Sequence, residues 1–138
     1  MRKFLSVLLA MAMVLSLTVT SFAADTAADA KAEMAGKTVI LHTNDVHGAV
    51  EGYAYIAQLK ADYEAKGAEV ILVDAGDFSQ GDTSVSLSEG ATAIELMNMA
   101  GYDAVALGNH EFDYGFEALK KNMESAQFPV LAANVKYN

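Results

Sequence analysis

Cysteine and tryptophan are absent from the 138 residues, proline occurs once, and only 9 basic side chains stand against 18 acidic ones. Each shortage excludes something. Without cysteine there are no disulfides and no acceptor for a lipid anchor, so stability must come from apolar burial or bound metal. The net charge of −9 argues against nucleic-acid and anionic-membrane partners, because both need a basic footprint. Phosphate-loop signatures are missing too: no Gly-x-x-x-x-Gly-Lys-Ser/Thr string occurs, and no Gly-x-Gly-x-x-Gly opens a helix. No repeat at a solenoid period is present. The length suits one domain better than two independent cores.

Apolar residues make up 53% of the chain, but unevenly. Arg2 and Lys3 precede an apolar run over 4–19, and Ser21-Phe22-Ala23 sets small residues at −3 and −1 of a cut after Ala23. This pattern is a secretory signal peptide over 1–23, too short in its apolar part for a membrane span. Its removal leaves about 115 residues with a charge near −11, expected to be secreted, periplasmic or cell-wall associated, without stable membrane insertion. Residues 24–37, rich in alanine and charge and lacking an apolar stripe, read as a flexible tether. The folded part is expected over 38–138.

Four β-favouring apolar runs follow, at 38–43, 70–73, 104–107 and 130–133. Their near-continuous apolarity predicts strands buried on both faces. Helical patterns separate them. Ile56, Leu59 and Tyr63 recur at i, i+3, i+7 before Gly67; Ile94 and Met97 precede Gly101; Phe116, Leu119 and Met123 precede Pro129. The order β-α-β-α-β-α-β implies crossover connections and a largely parallel α/β sheet.

In such a sheet functional groups collect in the loops after the strands' C-terminal ends. Three of these loops are Asn44-Asp45-Val46-His47-Gly48, Asp74-Ala75-Gly76-Asp77 and Gly108-Asn109-His110-Glu111. Each alone reads as an ordinary turn or cap. Parallel strands would bring all three to one edge, and together they form an oxygen and nitrogen donor set suited to Zn, Mn, Fe or Co. In that reading Asp45 and His47 face one metal, Asp77 bridges two, and Asn109 offers a carbonyl oxygen to the second. Gly76 and Gly108 let the backbone turn tightly beneath.

The strings Ile40-Leu41-His42-Thr43-Asn44-Asp45-Val46-His47-Gly48, Asp74-Ala75-Gly76-Asp77 and Gly108-Asn109-His110-Glu111-Phe112-Asp113-Tyr114-Gly115 resemble the first three blocks of the calcineurin-like metallophosphoesterases. They are similar in particular to the exported branch containing 5′-nucleotidases, UDP-sugar hydrolases and 2′,3′-cyclic-nucleotide phosphodiesterases. The resemblance implies two divalent metal ions, a nucleotide or other phosphoester substrate, and an αββα sandwich of which this βαβαβαβ chain is an incomplete part. By position it makes Asp45, His47, Asp77 and Asn109 metal ligands, His110 the catalytic imidazole that is not a ligand, and Asp113 the carboxylate that orients it. Two divalent ions about 3.5–4 Å apart bind a hydroxide that attacks phosphorus in line. His42, within the first strand, is expected to be a buried, hydrogen-bonded structural residue. Asn44 and Gln80 are candidates for supporting roles, and Phe78 for packing. Tyr53, Tyr55, Met97 and Met99 belong to core or surface.

The resemblance also implies a later histidine and a Gly-His-x-His block, which would fall beyond Asn138. Only three histidines are present. The chain is therefore expected to be an N-terminal portion with weak or no activity alone and with exposed apolar surface. Two other readings compete: a thiosulfohydrolase-like relative acting on sulfur esters, and a non-enzymatic exported metal-binding module. Oligomeric state stays open.

Overall fold

The computed structural model describes residues 33–136. The expected leader at 1–23 lies outside the described residues, as does the tether up to residue 32. Residues 33–36 form a turn whose Met34 N–H donates to Lys66 O at 3.0 Å.

Four strands make one sheet in the order β1-β2-β3-β4, with every neighbouring pair parallel. They are β1 (Thr38–Thr43), β2 (Glu69–Asp74), β3 (Ala104–Ala106) and β4 (Val130–Leu131). Helix α1 (Glu51–Ala65) joins the first two, α2 (Thr83–Leu87) and α3 (Ala91–Ala100) the next, and a 3-10 turn at His110–Phe112 leads into α4 (Gly115–Ser125) before β4. The alternating order read from the sequence is thus the observed one. β3 and β4 are shorter than their apolar runs, since the ladder fades: Leu107 N–H reaches Leu131 O only at 3.3 Å. The short helix α2 was not foreseen; Asp82 caps it, its Oδ1 accepting from Ser84 N–H at 2.8 Å. Gly101 ends α3 in the left-handed conformation, φ 73°, and Tyr102 N–H returns to Met97 O, as a glycine cap requires.

The core lies on one side of the sheet. Leu72 and Val105 from the strands meet Tyr53, Val85, Ala93, Ile94 and Met97 from the helices. Each large apolar side chain so buried contributes about 1.5–3 kcal/mol. Phe78 is buried with them, as are Tyr53 and Met97, whereas Tyr55 and Met99 are exposed. Strands added in sequence order by crossovers of one hand put every connecting helix on the same face.

That topology corrects two expectations. The strands are not buried on both faces: the far side carries Ile40 at 67%, Ile71 at 37% and Leu131 at 56% exposure. His42 shares that side, opposite Val73 in the register, and is exposed rather than buried. The apolar stripes are also only partly covered. Leu119 is buried, but Phe116 and Met123 line an open groove of about 550 Å³ with Leu107, Phe112 and Val135.

Candidate metal centre

All three sequence-marked loops meet at the C-terminal edge of the parallel sheet. They are bound to one another by backbone as well as by side chains. Asp45 N–H donates to Gly76 O and His47 N–H to Asp77 O, both at 3.0 Å, while Asp77 Oδ1 accepts from His110 N–H at 2.9 Å. Asp77 therefore holds one loop with its carbonyl and another with its carboxylate.

The local backbone is unusual. Asp45, His47 and Asp77 have φ of 51°, 44° and 62°, and Glu89 is the only other described non-glycine residue with positive φ. Left-handed backbone at a residue other than glycine costs about 1–3 kcal/mol and gathers at functional sites. Here it falls at three of the candidate ligands, in the loops after β1 and β2. Gly76 and Gly108 let their loops approach closely: a Cβ on Gly76 would strike the backbone of Gly108, and one on Gly108 would strike the Asp77 carboxylate.

One nitrogen each of His47 and His110 and one oxygen of Asp77 lie within 4.8 Å of one another. The two imidazole rings meet edge to face with centroids 5.0 Å apart. Asp45 stands beside this trio rather than inside it, its Oδ1 3.8 Å from His47 Nε2 and its Oδ2 accepting from Asn44 Nδ2 at 2.7 Å. Asn109 is exposed at the N-terminal end of the 3-10 turn. A cluster of imidazole nitrogens and carboxylate oxygens at such spacing fits a borderline divalent cation. Among the described residues, His47, Asp77 and His110 are the group whose donor atoms converge to that spacing.

His110 differs from His47 in being engaged. Its Nδ1 lies 2.6 Å from Asp113 Oδ2, and this hydrogen bond raises the imidazole pKa above its ordinary value despite some desolvation. The Asp113 contact inferred from sequence is therefore present.

Sequence reasoning missed two buried carboxylates nearby. Asp74, 4% exposed, ends β2; its Oδ1 accepts from Gly76 N–H at 2.7 Å and its Oδ2 from Thr43 Oγ1, which also contacts Tyr102 Oη at 2.8 Å. Burial pushes its pKa up to about 6, against the opposing effect of these hydrogen bonds. Glu111, 3% exposed, accepts from both the Asp77 and the Gly108 loops. The only available clue was a carboxylate next to His110, since its partners in the Asp77 loop lie more than 30 residues away.

Comparison with known proteins gives the family of the chain. The family described as calcineurin-like phosphoesterase matches residues 38–137. The chain is 41% identical over 116 residues to a 5′-nucleotidase of Vibrio cholerae, covering 76% of this chain and 21% of that protein. It is 34% identical over 130 residues to protein UshA of Escherichia coli, covering 86% of this chain and 24% of that protein. The crystal structure of a 5′-nucleotidase precursor from Thermus thermophilus superposes with a TM-score of 0.64 at 32% identity, over 69% of this chain and 22% of that one. The chain thus spans about a fifth to a quarter of the length of the curated relatives it matches. A match running through all three loops and nearly the whole described fold leads to one conclusion: the chain belongs to the calcineurin-like phosphoesterases, a family of hydrolases.

Proposed function

We propose that this chain is the N-terminal part of the catalytic region of an exported, metal-dependent phosphoester hydrolase acting on nucleotides. The observation that carries this reading is the convergence of His47, Asp77 and His110 within 4.8 Å, with Asp45 beside them. Asp45, His47, Asp77 and Asn109 are the residues that would hold two divalent ions. Bound there, such cations supply Lewis acidity toward phosphoryl oxygens and lower the pKa of water. They also offset the chain's negative charge where an anionic substrate must approach.

The chain's own residues divide the remaining work. Asp113 fixes the orientation of His110 and favours its protonated form. A protonated imidazole is a poor ligand and a good proton donor, so His110 delivers a proton to the departing oxygen instead of joining the metal set. Asp77 ties the three loops through its carbonyl and carboxylate, so that ligands and acid share one frame. Export rests on the leader-like pattern at 1–23; among the described residues no helix is long and apolar enough to cross a membrane. With so few donors for the second ion, turnover by this chain alone is weak or absent.

Calorimetric titration of the chain with Mn²⁺ or Zn²⁺, alongside phosphate release from AMP, tests this reading. Binding that disappears in Asp77→Asn and persists in His110→Asn is the expected result. No binding by the unaltered chain would refute the metal site, and full-rate phosphate release would refute the claim of weak turnover.

A further inference from the structure

Glu111 is the most heavily hydrogen-bonded side chain near the site. Its Oε1 accepts from Phe78 N–H at 2.9 Å, Ser79 N–H at 3.1 Å and Ser79 Oγ at 3.1 Å. Its Oε2 accepts from Asp77 N–H at 2.9 Å and Gly108 N–H at 2.6 Å. Five donors from two loops thus surround one carboxylate that is 3% exposed, and no cation is among them. Amide dipoles directed at one anion can replace a counter-ion in this way.

We infer that Glu111 is the positioning residue of this centre: by gathering the amides of 77–79 and 108 it sets the direction of the Asp77 carboxylate. Asp77 is held in left-handed backbone, φ 62°, which it would leave without an outside constraint. Three successive N–H groups at 77, 78 and 79 point to Glu111, and those of Phe78 and Ser79 would otherwise be buried without partners, which proteins rarely tolerate. The second tether, to Gly108, keeps the third loop against Asp77 at the contact where even a Cβ would collide. As a result the Asp77 carboxylate stays within reach of His110 N–H, an amide that Glu111 does not touch. Glutamine is a poor substitute, because its amide group would turn N–H toward N–H at one of the two oxygens. Aspartate is one methylene too short to span both loops.

The metal consequence rests on the proposed function, whereas the geometric one does not, so the experiment reads both. Amide hydrogen exchange is followed in the whole chain, free of metal, for wild type and Glu111→Gln. Protection should fall at least tenfold at Asp77, Phe78, Ser79 and Gly108, and also at His110, while the β1–β2 ladder amides keep theirs. In parallel, Mn²⁺ affinity should fall at least tenfold. Unchanged protection of His110 would overturn the inference, as would wild-type Mn²⁺ affinity in the variant. A wild-type chain that binds no Mn²⁺ would refute the metal reading, with the His110 amide still deciding the role of Glu111. Should Glu111→Gln fail to fold, Glu111→Asp, which keeps the charge but cannot span both loops, must show the same loss at the His110 amide; unchanged protection there would likewise overturn it.

Discussion

Asp74→Asn is expected to stabilise the metal-free protein at neutral pH. Asp74 is buried at the end of β2, faces no cation, and feels the charges of Glu111 and Asp45. Its pKa rises from 3.8 to about 6, with burial the largest cause. The folded state therefore binds this proton more tightly than the unfolded state, and the sign follows directly. The contribution of Asp74 to stability is fully present below about pH 4, falls as pH rises toward 6, and is lost above it. A displacement of roughly two pH units corresponds to about 3 kcal/mol. Asparagine is nearly isosteric: its Oδ1 still accepts from Gly76 N–H, and its Nδ2 donates to Thr43 Oγ1, whose own hydrogen turns to Tyr102 Oη. In EDTA at pH 7.5 the variant should gain up to about 3 kcal/mol, a rise of roughly 1–3 M in the urea midpoint for typical slopes. At pH 4 the two proteins should nearly coincide. Parallel loss of stability by both between pH 4 and 7 would refute the reasoning, as would destabilisation of the variant at pH 7.5.

Three further outcomes follow. Asp113→Asn should move the His110 titration to lower pH, read by NMR in EDTA, because the hydrogen bond to Asp113 is the largest cause of its elevation; an unmoved midpoint would contradict this. Gly76→Ala, which combines φ of 107° with a collision against Gly108, should cost about 2 kcal/mol or more in urea denaturation, whereas Gly52→Ala, in α1 with open space, should gain about 0.5 kcal/mol. Equal effects at the two positions would remove the steric argument. Ile40→Lys should reduce binding of a hydrophobic dye while changing stability by no more than about 0.5 kcal/mol, since Ile40 is 67% exposed on the bare face.

The sequence made the strands and the three loops legible because both signals are local. Apolar runs mark the strands, and Gly, Asp, Asn and His fall directly after them. What covers each face of a strand is not local. Ile40 and Ile71 look as core-like as Leu41 and Leu72, and only the strand order 1-2-3-4 shows that the first pair faces away from the helices. The exposure of His42 escapes the sequence for the same reason, since the pleat assigns its side but not what lies there. The loop residues Asp45, His47 and Asp77 could be named, but their left-handed backbone could not, because neighbouring loops impose it. Glu111 stood next to a residue marked as catalytic and still gave no sign of its role, which depends on amides of another loop.

The strand order bears on how the chain acquires its shape. Each strand pairs with the one immediately before it, so no step must close a loop longer than one strand-helix unit. Each closure spans one crossover of roughly 30 residues, and its entropy cost grows only as the logarithm of that length. β1 and β2 with α1 can form a template on which each later unit docks, in the order a ribosome delivers them. The donor cluster obeys the same calendar. His47 and Asp77 arrive with the first two units, but His110 and Glu111 follow β3, so the centre assembles only after most of its scaffold stands.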